Sequence, residues 1–164
     1  MLCLALSSFA GIASAQAKIA IINLQRAVLE SNEIKKASTA LEAKFKPRQQ
    51  ELEKLQQDIE QIRQKLETGQ GKLTPQAEAD YQAEGTRKQT TLTRKTEDLQ
   101  KDVDAERNEI LGKSSKQMQE VVAKLAAEKG YDVVVDVSTT VFFKPALEIT
   151  SDAIAAYNVA YPGK

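Results

Sequence analysis

The sequence predicts an α+β protein in which a long antiparallel helical hairpin, a coiled-coil-like arm, projects from a small body that contains β-strands. Two stretches rich in Glu, Lys, Gln and Leu are separated by Gly-Gln-Gly-Lys-Leu-Thr-Pro at residues 69–75 and are flanked by short β-branched segments. Because each helix of such a hairpin buries only a narrow apolar stripe, the 164 residues leave little material for an independent core. We therefore expect one domain whose β-segments are pooled between several chains.

Two segments predict the β-structure of the body. Residues 18–24, Lys-Ile-Ala-Ile-Ile-Asn-Leu, are apolar on both faces, which is typical of a buried strand. Residues 131–137, Tyr-Asp-Val-Val-Val-Asp-Val, predict the strongest strand, and Ser-Thr-Thr at 138–140 predicts a hairpin turn into a further strand at 141–143. A short helix or turn is expected at residues 25–31.

The first long helix is predicted from residue 33 to residue 67. Arg48 takes a polar position in its seam, and the adjacent Pro47 predicts a kink or a restart near Lys46, since proline removes a helical hydrogen bond. Apolar residues at alternating steps of three and four form the heptad seam of a coiled coil. These seam residues are Leu41, Phe45, Leu52, Leu55, Ile59, Ile62 and Leu66.

The return helix is predicted over residues 75–128, with Thr74 as N-cap, Pro75 at the first position and Gly130 as C-cap. Its stripe repeats at eleven residues, which favours a nearly straight helix and a thin, bendable contact with the first helix. The stripe comprises Leu92, Leu99, Val103, Ile110, Ser114, Val121 and Leu125. A short terminal helix is expected at residues 153–158, capped by the preceding Ile-Thr-Ser-Asp.

Composition argues against catalysis and against nucleic acid as a partner. The chain has no His, a single Cys at position 3, and 23 basic against 23 acidic residues. Most nucleophilic triads and zinc sites are therefore excluded, and the basic field of a nucleic-acid reader is missing. We predict a protein that is not an enzyme and that has no catalytic residues, metal site or cofactor.

Residues 1–17 predict a signal peptide. The segment is uncharged and apolar, is too short to span a bilayer, and ends in Ala-Ser-Ala-Gln-Ala, which suits cleavage after Ala15 or Ala17. It lacks the usual Lys or Arg at its beginning. The alternative is a buried N-terminal helix.

Apolar groups near the predicted hairpin tip suggest a binding surface. Leu73 and Tyr81 lie where a solvated tip would carry only polar residues, and exposed apolar groups at such a place favour a partner. The alternative for Leu73 is that it packs on the N-terminus of the return helix.

An ordered set of segments resembles the Skp/OmpH family of periplasmic outer-membrane-protein chaperones. The order is the leader, Lys-Ile-Ala-Ile-Ile-Asn from residue 18, and Phe-Lys-Pro-Arg from residue 45 in a kinked helix. A long return helix, Asp-Val-Val-Val-Asp from residue 132 and Ile-Thr-Ser-Asp from residue 149 complete it. The Lys-Ile-Ala start at residue 18 and Asp-Val-Val-Val-Asp from residue 132 are the most specific of these segments. The coiled-coil segments are generic.

The resemblance implies a homotrimer, in which trimerisation completes the β-body and three arms surround a cavity. Unfolded outer-membrane β-barrel proteins would be held there without ATP until they insert. We expect a body of residues 18–40 and 111–164 and an arm of residues 41–110. The residues expected to form the trimer body are Ile19, Ile21, Val133, Val135 and Val137.

The chain departs from the family in its charge. Members are often strongly basic and carry an Arg pair on the return helix as a proposed lipopolysaccharide site, whereas residues 101–107 here contain no such pair. No lipopolysaccharide residues are therefore assigned, and slower electrostatic capture of clients is expected. The nearest basic candidates for contact with clients or membrane lipid are Arg87, Lys88, Arg94 and Lys95.

Two other functions fit parts of the pattern. One is an adaptor or structural coiled-coil protein that bridges envelope components and has no unfolded clients. The other is a cytosolic chaperone with the arm-and-body plan of prefoldin, against which the predicted leader argues.

Overall fold

The computed structural model describes residues 16–163, so that Cys3 and most of the predicted signal peptide lie outside the described residues. The long helices and both main strands are found where the sequence predicts them. The elements, in chain order, are β1 (Ile19–Ile22), α1 (Leu24–Leu29), α2 (Asn32–Thr68), α3 (Pro75–Lys129), β2 (Val133–Asp136) and α4 (Thr150–Ala160), with 3-10 turns at Val137–Thr139 and Pro145–Leu147.

The two strands form a parallel sheet. Ile19 pairs with Val133 and Ile21 with Val135, and Ile149 N–H donates to Ile21 O at 2.8 Å along the other edge of β1. Parallel strands need a long crossover, and here the whole helical hairpin serves as that crossover. The arm is therefore an extension of a β-α-β connection and is inserted in the chain between the two strands.

The predicted hairpin after β2 is wrong. The strand ends at Asp136, whose carboxylate accepts the N–H of Ser138 at 2.8 Å and starts a 3-10 turn that contains Val137. Because this side chain satisfies the local backbone, the chain leaves the sheet instead of folding back. In the segment 141–143, the predicted further strand, Val141 and Phe142 are 106% and 81% exposed.

Both ends of α3 follow the sequence prediction. Thr74 Oγ1 accepts the N–H of Ala77 at 3.2 Å, and Gly130 ends the helix in the left-handed region at φ 67°. Gly71, at φ 73°, supplies the left-handed position that the tight connection between α2 and α3 requires.

Two helix predictions need correction. Helix α2 continues through Pro47 and does not restart, and on either side of the proline Phe45 is buried and Arg48 pairs with Asp102 of α3. The kink near Lys46 stays a prediction. Helix α4 begins at Thr150, three residues earlier than predicted, and its N-terminus has no side-chain cap. The Thr150 hydroxyl instead accepts the N–H of Asn23 and donates to Glu148, each at 2.9 Å.

The core of the body lies between α1, α4, the C-terminal half of α3 and one face of the sheet. Met118 and Tyr157 are completely buried in it. The other members of this cluster are Ala20, Ile22, Ala27, Val28, Ile34, Val121, Leu125, Ile149 and Ala153. A single chain therefore has a core of its own, although one face of the sheet takes no part in it.

The Tyr157 hydroxyl, on α4, connects this helix with α2 and α3. It donates to the Glu33 carboxylate and lies 3.1 Å from Gln117 Oε1. Burial, reinforced by the neighbouring Glu33 carboxylate, raises the pKa of Tyr157 to about 12. The neutral hydroxyl is thus favoured in the folded state.

Stability is expected to fall between pH 10 and pH 12 through Tyr157. In the unfolded chain Tyr157 loses its proton near pH 10, whereas in the folded chain it keeps the proton to about pH 12. The contribution of Tyr157 to the free energy of unfolding is therefore complete below pH 10 and is lost as the pH rises from 10 to 12. A pKa difference of about 2 corresponds at most to about 3 kcal/mol in the free energy of unfolding. In urea unfolding, the stability gap between wild type and Tyr157→Phe should narrow by up to that amount from pH 9 to pH 12. An unchanged gap would contradict the expectation.

Candidate functional site: the arm and the outer face of the sheet

The predicted seam residues lie between the two helices of the arm. Phe45, Ile62 and Leu99 are buried there, and the other predicted apolar positions of the arm are half-buried. Few side chains are thus fully removed from water over a long contact. Packing of this kind holds two helices together while leaving most of their surface to solvent.

Ion pairs on the arm connect α2 with α3 and change direction along it. Near the body the cations belong to α2, whereas farther out they belong to α3. The pairs are Lys44–Glu106 at 2.5 Å, Arg48–Asp102 at 2.5 Å, Glu51–Lys95 at 2.6 Å and Asp58–Lys88 at 2.8 Å. Exposed pairs contribute only about 0–1 kcal/mol each, so their main effect is on the register of the hairpin.

The four basic candidates fall into two groups. Lys88 and Lys95 are engaged with α2, and the hydrogen bond with Asp58 raises the pKa of Lys88 and lowers that of Asp58. Arg87 and Arg94 are exposed and form no ion pair within residues 16–163. They lie seven residues apart, two helical turns, and therefore share one outward side of α3.

The two apolar tip candidates are half-buried. Leu73 lies against Gly69, the C-cap of α2, where an added Cβ would meet its Cδ1 at 2.7 Å, so this contact is with the end of α2 and not with the N-terminus of α3. Tyr81 lies nearly two turns into α3, and the Lys65 ammonium lies over its ring, 5.4 Å from the ring centroid. Leu73 thus lies in the connection between the helices, whereas Tyr81 lies on α3 against a side chain of α2.

One side of the sheet presents apolar residues away from the core. Strand alternation directs Ala20, Ile22 and Val134 to the core and places the four paired residues Ile19, Ile21, Val133 and Val135 on the opposite face. Ile19 is 43% exposed and Val133 is 48% exposed, whereas Ile21 is buried and Val135 is half-buried. Val137 is half-buried in the turn that follows.

Among the cavities along the hairpin, two bear on the site, and the sequence pattern predicted neither. One, of about 590 Å³, lies at the root of the arm between α1, α3 and the turn after β2, and Leu29, Arg107 and Leu111 are among its lining residues. The other, of about 450 Å³, lies beside Gly85 on the outer arm. Gly85, an isolated glycine in a helical pattern, is the sequence signal that could have indicated this outer cavity.

Metal sites and membrane-spanning helices were also sought among residues 16–163. Residues 16–163 contain no cluster of three or more His, Cys, Asp or Glu side chains placed to hold a metal ion. Over the same range, no helix combines the length and apolar character that crossing a membrane requires.

A two-helix arm on a small body with a two-stranded parallel sheet defines the α+β fold of the chain, and a solved structure shares this fold. The crystal structure described as an OmpH-like outer membrane chaperone from Caulobacter crescentus CB15 matches with a TM-score of 0.75 and 19% identity. The match covers 92% of this chain and 89% of that one. At this identity the likeness shows the fold alone.

The chain belongs to the OmpH-like outer membrane protein family, whose model matches residues 18–157. Two similar proteins are the chaperone protein Skp of Yersinia enterocolitica and a Skp-like protein of Pseudomonas aeruginosa. The first is 28% identical over 151 residues, covering 92% of this chain and 91% of the relative. The second is 27% identical over 150 residues, covering 89% and 87%. The resemblance seen in the sequence is confirmed.

Proposed function

We propose that the chain is an ATP-independent holdase chaperone of the periplasm. It binds unfolded outer-membrane β-barrel proteins in a cavity between three helical arms and prevents their aggregation before insertion. Membership of the OmpH-like family and the naming of a relative as a chaperone support this function. A leader cleaved after Ala15 or Ala17 would deliver the chain to the periplasm, and N-terminal sequencing of the mature protein tests that step.

The arm is the observation that carries the proposal. Residues 41–68 of α2 alone extend about 40 Å at 1.5 Å per residue, and their seam has few fully buried side chains. Several weak contacts on three such arms give avidity to a disordered client without imposing one conformation on it. A catalytic cleft would need the opposite, a rigid and enclosed set of groups.

The outer face of the sheet supports trimerisation. Ile19 and Val133 leave apolar surface exposed on the face of the two-stranded sheet that lies away from the core of the chain. Val141 and Phe142, in the segment after β2, are exposed apolar residues as well. Three copies that meet through the outer face of the sheet would complete the body and place their arms around one axis.

Light scattering on the eluate of a size-exclusion column tests the function first. The chain without its leader is run alone and after a urea-unfolded outer-membrane β-barrel protein is diluted into it. A trimer that forms a discrete soluble complex with the client supports the holdase. A trimer that leaves the client to precipitate favours the envelope adaptor, and a monomer contradicts the architecture.

The double variant Leu73→Ser, Tyr81→Ser is expected to keep the trimer and to hold clients more weakly. Both side chains contribute half-buried apolar surface on the outer arm, far from the sheet. Removing two such contacts should raise the client Kd by about tenfold or more. The control Val159→Ser removes an apolar side chain, 85% exposed, from the body. Equal client affinity in all three proteins would return both residues to a purely structural role.

A further inference from the structure

Gly85 occupies a position where nothing in the backbone or the packing requires a glycine. It lies in the interior of α3, where glycine destabilises a helix relative to alanine, and its φ is negative. An added Cβ would meet only Ile62 Cγ2, at 3.5 Å, which is an ordinary contact. The consequence of the missing side chain is therefore an opening in the seam.

This opening is a notch of about 450 Å³ with an apolar floor and a polar rim. The floor is formed by Ile59, Ile62, Leu66 and Tyr81 around Gly85. The rim carries Arg63, Gln82, Thr86, Gln89 and Thr90, of which Arg63 alone is charged. The notch thus combines a place for one large apolar side chain with hydrogen-bonding groups at both edges.

The two flanks of the outer arm differ. Helical periodicity places Gln82, Thr86 and Gln89 on one side of the α3 seam, and Lys88 and Lys95 on the other. The second side is closed by the ion pairs to Asp58 and Glu51. No ion pair among residues 16–163 crosses between the helices on the notch side.

We propose that the Gly85 notch binds an extended segment of an unfolded outer-membrane client, one large apolar side chain at a time; this rests on the proposed holdase function. Charge complementarity defines the segment further. Arg63 donates its Nε–H to Glu67 Oε1 at 3.1 Å, and its side chain is 71% exposed. Its other N–H groups can therefore donate to a carboxylate of the client. The preferred segment places an acidic residue beside the apolar one. The Gln82 and Gln89 amides bond its unpaired backbone groups.

Two glycine substitutions in the same helix test the notch. Gly85→Ala fills part of it, and Gly112→Ala adds the same methyl group at a site where nothing lies within 4 Å. Both variants should melt at a higher temperature than wild type, since both improve the helix. Client Kd, measured with a urea-diluted β-barrel protein and the full mature chain, should rise about threefold in Gly85→Ala and stay unchanged in Gly112→Ala. Gly85→Leu, which fills the notch, should raise it by about tenfold or more.

The carboxylate contact is tested by the pair Arg63→Gln and Glu67→Gln. The first removes the cation, and the second frees it from its partner in α2. We expect weaker client binding in Arg63→Gln and equal or tighter binding in Glu67→Gln, with the difference lost in high salt.

The outcomes separate the notch from the holdase function. If wild type leaves the client to aggregate, the proposed function itself fails. If wild type and Gly112→Ala hold the client and Gly85→Leu holds it equally well, the notch fails and the function stands. If both alanine variants weaken binding alike, helix flexibility is responsible and the notch proposal is overturned.

Discussion

Val135→Asp is expected to convert the assembled trimer into monomers. Val135 pairs with Ile21 on the sheet face opposite the core, where the proposed trimer contact lies. A carboxylate buried there without a partner would cost about 3–5 kcal/mol in each chain. Because a single chain has its own core around Met118 and Tyr157, the monomer should retain most of its helix. Light scattering gives the mass, and far-ultraviolet circular dichroism gives the helix content.

The matched control for this variant is Val159→Asp. Val159 is 85% exposed on α4, so the same change in charge and size there should leave the trimer intact. A Val135→Asp protein that remains a stable trimer would show that the chains meet through another surface. Complete loss of helix would show instead that the body cannot fold without assembly.

The arm could be predicted from the sequence because its determinants are local. The alternation of Leu41, Phe45 and Leu52 reflects the period of a helix that buries one side, and the structure confirms these positions as seam. Thr74 and Gly130 mark helix ends through their own side-chain and backbone preferences. Such signals act within a few residues and survive in any tertiary context.

The body and the notch depend on contacts between distant residues, which the sequence pattern does not show. The 3-10 turn after β2 arises because Asp136 is placed to accept from both Leu24 N–H, at 3.0 Å, and Ser138 N–H. The first of these donors lies 112 positions away in the chain. The notch likewise exists because Gly85 faces Ile62 across the hairpin. A propensity-based prediction therefore extended the strand and left the glycine without a function.

Met118→Ala is expected to lower the free energy of unfolding of the body by about 2–5 kcal/mol. The side chain is completely buried among residues of α1, α3 and α4, and its removal leaves a cavity as well as a loss of apolar burial. Tyrosine fluorescence in urea follows the change at one fixed chain concentration, since a trimer gains apparent stability with concentration. Met118→Leu nearly conserves the volume and should cost less than about 1.5 kcal/mol. Because Met118 belongs to the body core and not to the arm, folded Met118→Ala should bind clients as tightly as wild type. A loss of client affinity in the folded variant would mean that the body core and the arms are energetically coupled, which a thin and bendable seam does not predict.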